Sequence, residues 1–359
     1  MTRQAWRTRA ATVMVLAQLS AGVAVAEDGV QLAPVVTKPI VGTIAPKTNT
    51  WGEISFADAK SYPWDGQQGS AIEKPPLGKY SKTIFTGPDV GQLIYVVYEP
   101  TFDTKMPPGG RPPHYHQFWE WGYTLKGDSV MPEPVSPYQK NGMLYRKKEG
   151  GWLSRPPYSL HGGSWETGGL RNQLPYHLII YEEGDGHLIN VGPNGGYVGR
   201  YGKPPANPSM GDWKSVKEFS RPWLVDSVRD LEWEADTELP GRYVKWLSDD
   251  IAQGFRAQLV KIPPGWTAPP EARKTYFENA NRMRYMVWGE MRVWQFKSPD
   301  DAGRSFKVKE DYFIYQPPRS IWGYGPDSVS DMGAVWLEVT YAKGLTHGGG
   351  PIESPKSLR

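Results

Sequence analysis

Three of the six histidines in this 359-residue chain, together with one glutamate, have types and spacing that suit a metal ion. His114 and His116 are separated by one residue, Glu120 follows four positions later, and His161 lies further along. Residues two apart in a strand project to the same face, so the first three are expected to converge from one strand. Imidazole and carboxylate ligands together suit Mn, Fe, Cu, Ni or Zn better than Ca or Mg, which prefer oxygen ligands alone. Four ligands leave one or two coordination positions open for water, dioxygen or substrate, as in a catalytic centre.

The same alternation divides the neighbouring side chains between two faces. Phe118 is expected on the metal side, whereas Trp121 faces away and packs against other residues. We expect Tyr123 and Trp165 to join Phe118 as pocket lining. His177, in an obvious strand, is either an inward proton acceptor or, as is common for an isolated histidine, a ring held by a backbone carbonyl.

The first 26 residues have the features of an export signal. Arg3, Arg7 and Arg9 precede an uncharged apolar run, and a small-x-small pattern ends at Ala26. We expect cleavage near Ala26 and a periplasmic or secreted mature chain. The chain contains no cysteine, so it forms no disulfide and relies on its hydrophobic core.

Charge and composition narrow the partners and the fold. The sequence has 41 basic and 38 acidic residues, and three of the arginines lie in the expected signal segment. A nearly neutral mature chain without a basic run argues against nucleic acid or an anionic membrane surface as a partner. Glycine (40), proline (34), tyrosine (20) and tryptophan (16) are abundant, which indicates an all-β chain of short strands and tight turns.

An internal repeat predicts two β domains. Residues 123–127 resemble residues 285–289 at an offset of 162, and residues 156–162 resemble residues 317–323 at an offset of 161. The predicted organisation is, in order, a signal peptide (1–26), an N-terminal arm (27–75), a metal-binding barrel (76–200), a linker (201–238), a degenerate barrel (239–345) and a tail (346–359).

The second copy lacks the metal-ligating residues of the first. Trp322 stands where the first copy has His161, and Arg282 stands where it has Glu120. We expect the indole to fill this barrel with apolar core, which leaves it a structural role within the chain or across a homo-oligomer.

The first group of ligand candidates resembles the first motif of the cupin superfamily, G-x5-H-x-H-x3,4-E-x6-G. His114, His116, Glu120 and Gly127 match in identity and spacing, and the leading glycine is one place late, at Gly109. The second cupin motif, G-x5-P-x-G-x2-H-x3-N, is matched in part by a later stretch. Gly150, Pro156 and His161 match this motif. Tyr158 stands in place of its inner glycine, and Trp165 stands in place of its asparagine.

The resemblance implies a bicupin, which is two tandem double-stranded β-helix (jelly-roll) barrels, with one metal centre in the first. Arg111, three residues before His114, resembles the arginine that binds the substrate carboxylate in oxalate decarboxylases. A secreted bicupin with metal in the first barrel alone resembles instead the quercetinase type of dioxygenase. In that type the ligand carboxylate, here Glu120, can accept a substrate proton. The expected function is therefore a dioxygenase of a small oxygenated or aromatic compound. The alternatives are a decarboxylase or lyase of a small carboxylic acid, and a periplasmic ligand-binding cupin without turnover.

Overall fold

The computed structural model describes residues 30–42, 50–64, 80–87, 92–98, 114–116, 118–133, 143–157, 159, 161, 168–169, 176–182, 189–191, 197–199, 223–251, 254–342 and 351–358. Within these ranges the regular structure consists of β-strands and two short 3₁₀ turns, Val228–Asp230 and Pro270–Ala272. None of the helical turns in this part of the chain is long and apolar enough to cross a membrane.

The strands are, in chain order, β1 (Ile40–Val41), β2 (Ser55–Asp58), β3 (Tyr80–Gly87), β4 (Gln92–Tyr98), β5 (His114–Tyr115), β6 (Glu120–Lys126), β7 (Ser129–Glu133), β8 (Met143–Lys147), β9 (Trp152–Arg155), β10 (Gly168–Gly169), β11 (Tyr176–Tyr181), β12 (Ile189–Val191), β13 (Tyr197–Gly199), β14 (Trp223–Val225), β15 (Glu234–Ala235), β16 (Tyr243–Asp250), β17 (Phe255–Ile262), β18 (Thr275–Tyr276), β19 (Ala280–Gln295), β20 (Arg304–Lys309), β21 (Tyr312–Gln316), β22 (Ala334–Ala342) and β23 (Lys356–Ser357).

Two large sheets contain most of these strands. The first has the order β1-β3-β4-β11-β6-β9-β14, and the second has the order β15-β16-β17-β22-β19-β21-β2, with β20 paired to β19. Smaller sheets have the orders β10-β7-β8, β13-β12-β5 and β18-β23.

The internal repeat is visible in the strand order. Neighbours β4, β11, β6 and β9 of the first sheet have counterparts β17, β22, β19 and β21 of the second, in the same order. The glycines at equivalent positions of the two copies also share a backbone conformation, because φ is 69° at Gly127 and 78° at Gly289. At Gly289 a Cβ would lie 2.3 Å from the carbonyl oxygen of Gly333, so a side chain is excluded where β19 leaves β22. The two copies predicted from the sequence are confirmed.

The two large sheets pack against each other through an apolar face that both supply. The Trp121 ring stacks on Phe255 at a centroid distance of 3.8 Å, and Phe85 lies against Tyr315 at 4.8 Å. The indole of Trp152 donates a hydrogen bond to Ser248 across the same boundary. Because strand residues alternate between faces, the side chains on the other face of each sheet point into the interior of that sheet's own repeat.

Segments outside the two predicted barrels also join the sheets. Within the predicted arm, β1 pairs with β3 of the first sheet and β2 pairs with β21 of the second. Within the predicted linker, β14 pairs with β9 of the first sheet. The arm therefore connects the two repeats through backbone hydrogen bonds.

Two expectations about local structure are wrong. Residues 114–120 do not form one strand, because β5 pairs with β12 in a small sheet whereas β6 pairs with β11 and β9 in the first large sheet. The interior of the second repeat is not simply apolar around Trp322, because Arg282, Arg284 and Glu338 are buried there as well. Arg284 pairs with Glu338, and the Arg282 guanidinium lies over the Trp322 ring, so each buried charge has at least one favourable contact.

Candidate metal centre

Strand register places an arginine beside the predicted glutamate ligand. Glu120 is the first residue of β6, and its partners across the ladder are Arg155 on β9 and Tyr181 on β11. Directly opposed residues on one face lie close enough for their side chains to touch. Nη1 of Arg155 accordingly donates to Oε2 of Glu120 at 2.9 Å, and both residues are buried.

His116 reaches the same point from the segment that precedes β6. This segment is held by Glu182, whose Oε2 accepts a hydrogen bond from the backbone N–H of Trp119 at 2.9 Å. The backbone N–H of Glu182 in turn donates to the Trp119 carbonyl at 3.1 Å. The reciprocal pair fixes the entry into β6, and Nε2 of His116 lies 3.3 Å from Oε2 of Glu120.

His161 completes the cluster from the loop after β9. Its Nδ1 lies 3.0 Å from the carbonyl oxygen of Ser159, a geometry in which Nδ1–H donates to the carbonyl. That hydrogen bond selects the tautomer with a lone pair on Nε2. This Nε2 lies 3.2 Å from Oε2 of Glu120, so its lone pair is directed into the cluster.

The three side chains fit a transition metal by donor chemistry and by separation. One ligand atom from each of His116, Glu120 and His161 lies within 4.8 Å of the others, and all three residues are buried. Bonds of about 2.1 Å place adjacent donors about 3.0 to 3.4 Å apart in octahedral or tetrahedral shells. The 3.3 Å and 3.2 Å separations from the histidines to the glutamate match this range.

Burial and charge favour a carboxylate at Glu120 and a neutral imidazole at His161, which are the forms of these groups that bind metals. Burial alone would raise the pKa of Glu120, but Arg155, helped by His161 and His116, lowers it well below its usual value. Burial, together with the positive charge of Arg155, lowers the pKa of His161 to about 4.

Aromatic rings form a wall on one side of the cluster. The His116 ring lies 4.9 Å from Phe118 and 5.0 Å from Tyr181, measured between centroids. Phe118, Tyr181 and Ile179 form a small apolar group of their own, and all three are buried. A substrate bound at the cluster would meet this apolar wall.

The predicted pocket residues have different outcomes. Phe118 lies beside His116 as expected, but Tyr123 does not line the site. Tyr123 is buried in the core between the two large sheets, because it alternates with Glu120 along β6 and takes the face of Trp121. Its assignment as pocket lining is therefore wrong.

Other predicted site residues are described in part or lie outside the described residues. The backbone of His114 belongs to β5, but its side chain is not described, and Arg111 and Trp165 lie outside the described ranges. His177 is buried on β11, with Nδ1 3.2 Å from Oγ1 of Thr124. One contact of the ring is therefore a side-chain hydroxyl.

Arg155 and Glu182 are site residues that the sequence reasoning missed. Arg155 directly precedes the proline pair of the second motif, and the register between β6 and β9 brings it to Glu120. The internal repeat aligns Glu120 with Arg282 and Arg155 with Gln316, and in each copy the two aligned residues pair across neighbouring strands. This alignment was a signal that could have pointed to Arg155. No such signal marks Glu182.

The metal-free protein should lose stability as the pH falls from about 7 to 5. The pKa of His161 is about 4 in the folded protein and 6.5 ordinarily, so the unfolded chain binds the proton first. The contribution of neutral His161 to the free energy of unfolding is full above pH 6.5 and is lost as the pH falls toward 4. About 2 kcal/mol of it is lost by pH 5. Urea unfolding of chelator-treated protein at the two pH values measures this loss. In a His161→Gln variant the loss should shrink, and an equal loss in both proteins would contradict the assignment.

Comparison with known proteins identifies the fold. No family model and no curated protein matches the sequence. An oxalate decarboxylase from Lactobacillus farciminis, solved as a formate complex, matches with a TM-score of 0.50 and 15% identity over 88% of this chain and 90% of that chain. A variant of the Bacillus subtilis oxalate decarboxylase matches with a TM-score of 0.50 and 14% identity over 88% and 80%. A protein from Nostoc punctiforme, provisionally described as a dioxygenase, matches with a TM-score of 0.50 and 14% identity over 85% and 88%.

These similarities establish the class of fold. The chain is an all-β protein with the tandem cupin fold, as its motifs and its repeat predicted. At such identities the matches define architecture alone, and the site has to be interpreted from its own residues.

Proposed function

We propose that this chain is an exported, metal-dependent bicupin enzyme, a dioxygenase that acts on a small oxygenated or aromatic compound. The observation that carries the proposal is the buried cluster of His116, Glu120 and His161 next to an aromatic wall. Three ligands from the described residues leave room for a fourth ligand and for substrate. His114 is the proposed fourth ligand, on the strength of the motif alone.

A bound Mn, Fe, Cu or Ni ion would supply Lewis acidity and reactivity toward dioxygen, and Zn only the former. The chain's own residues have positioning and proton-transfer roles. His161 is oriented by the Ser159 carbonyl, and Glu120 is held by Arg155, so both present their ligand atoms without rearrangement. In the proposed reaction a Glu120 oxygen accepts the substrate proton. Phe118 and Tyr181 exclude water from one side of the substrate.

A decarboxylase or lyase of a small carboxylic acid is the second candidate. It is favoured by Arg155, whose guanidinium group is buried within hydrogen-bonding distance of the cluster. A cation in this position favours an anionic substrate electrostatically, although its described hydrogen bond goes to Glu120. Arg111 would add a second cation if it reaches the site.

Localisation and assembly are part of the proposal. Residues 1–26 are proposed to direct export to the periplasm or the outside of the cell and to be removed near Ala26. A homo-oligomer is compatible with the fold, and the proposed partner is a small molecule rather than a nucleic acid or a membrane.

The test measures oxygen uptake and carbon dioxide release by metal-loaded protein with enols, phenols, a flavonol and small acids such as oxalate. The dioxygenase proposal expects about one dioxygen consumed per substrate converted, and loss of turnover in a His161→Ala variant. Carbon dioxide release without net oxygen uptake would replace it with the decarboxylase. Tight ligand retention without conversion would identify a binding module instead.

A further inference from the structure

The second repeat contains a counterpart of the metal cluster in which the charge is reversed. Arg282 on β19 pairs with Gln316 on β21, just as Glu120 on β6 pairs with Arg155 on β9. Trp322 takes the place of His161, and the Arg282 guanidinium carbon lies 4.0 Å above its ring. A permanent cation therefore occupies the position where the first repeat has a carboxylate.

Positive charge exceeds negative charge in this interior. Arg284 donates to Oε2 of Glu338 at 2.8 Å, and Arg242 is paired with Asp236. Arg282 lies farther from Glu338, with Nε 3.9 Å from Oε1. Among the described residues, three buried guanidinium groups thus share two carboxylates, which leaves one positive charge in excess.

Several hydrogen-bond donors in the same interior have no partner among the described residues. They are Nε and Nη1 of Arg282, Nη2 of Arg284, Nε2 of Gln316 and the hydroxyl of Tyr324. All four residues are more than nine-tenths buried. Leaving buried donors without acceptors is costly, and the cost is greatest for a charged group.

Arg282 remains a cation despite its burial. Burial lowers its pKa, which Glu338 opposes and Arg284 reinforces, and the result is about 10. Glu338 cannot satisfy all of the donors, because its oxygens already accept from Arg284, Gln258 and the Trp336 indole. Oε1 of Gln316 and Oε1 of Gln258 are acceptors without a partner among the described residues, but both belong to neutral amides, so neither supplies the missing negative charge.

We propose that the second repeat binds a small carboxylate anion between Arg282, Arg284, Gln316 and Tyr324. One carboxylate supplies both the missing negative charge and acceptor oxygens for the open donors. Trp322 supports the Arg282 guanidinium from one face, which keeps the cation in place when the site is empty. The degenerate repeat is then a ligand site of a different chemistry, and this inference does not depend on turnover in the first repeat.

Acetate serves as the probe, added to chelator-treated protein in chloride-free buffer. The unfolding temperature should rise saturably, by about 5 °C at a hundredfold excess over Kd, and ligand-observed NMR should detect acetate binding. Neutral acetamide should produce no such rise. An unfolding temperature that does not respond to acetate would overturn the proposal.

Matched variants locate the site. Arg282→Gln should weaken acetate binding at least tenfold and leave the metal content unchanged. Gln316→Glu places a tethered carboxylate beside Arg282, so it should unfold at a higher temperature than the parent without acetate and should no longer respond to it. If Arg282→Gln fails to fold, Gln316→Glu and Tyr324→Phe provide the same test. An acetate response that persists in the variants, or that disappears in His161→Ala, would place the anion elsewhere and refute the proposal.

Discussion

Replacing His161 by alanine should lower the affinity for the metal by more than about a hundredfold, so that the purified chain carries almost none. Loss of a residue that only hydrogen-bonds to a metal ligand lowers the metal affinity about 10- to 100-fold, and loss of a direct ligand should lower it further. His161 is a buried ring whose Nε2 faces Glu120 at 3.2 Å, and no other histidine among the described residues belongs to the cluster except His116. Competition with a chelator of known affinity measures the change.

The matched control is His177→Gln, which alters another buried histidine of the same repeat. His177 is not a member of the cluster, and one of its contacts is the hydroxyl of Thr124. This variant should keep the metal affinity within a few-fold of the parent. Equal affinity in His161→Ala and the parent, with both proteins folded, would refute the site.

Replacing Arg155 by methionine should destabilise the metal-free protein by about 3 kcal/mol, because it leaves the buried carboxylate of Glu120 without its strongest partner. Methionine keeps most of the apolar stem of the arginine, so the effect reports mainly on charge. A bound metal ion compensates the same carboxylate. The loss should therefore be smaller in metal-loaded protein, and urea unfolding with and without metal measures both values.

Arg146→Met provides the comparison, since it breaks an ion pair at the surface. Arg146 contacts Asp128 at 2.5 Å, but its side chain is 54% exposed. Exposed pairs contribute less than about 1 kcal/mol, so this variant should be nearly neutral. If Arg155→Met cost no more than Arg146→Met, or if metal gave no recovery, the proposed coupling between Arg155, Glu120 and the metal would be wrong.

The sequence predicted the repeat and the ligand cluster for physical reasons that act locally. Strand alternation and turn glycines recur at a fixed offset, so two copies of one β unit could be predicted without a structure. The grouping of His116, Glu120 and His161 followed from the motif spacing, although its physical basis differs from the one expected. His116 precedes β6 instead of sharing one continuous strand with Glu120, which begins β6, and His161 comes from a loop.

What the sequence could not predict depends on register and on long-range pairing. Arg155 meets Glu120 because β9 pairs with β6 in one alignment, and a shift by one residue would turn it away. Glu182 contacts Trp119 from 63 residues away, which no local pattern encodes. In the second repeat, Trp322 suggested apolar core, but the buried arginines around it became evident only from the pairing of β19 with β21 and β22.

Anomalous diffraction at the absorption edge of the bound metal tests the central claim most directly. Crystals of the metal-loaded chain should show one strong peak per chain, about 2.0 to 2.2 Å from Nε2 of His116, Nε2 of His161 and a carboxylate oxygen of Glu120. The interior of the second repeat, around Arg282 and Trp322, should show none. A stoichiometric peak that lies away from His116, Glu120 and His161 would contradict the account.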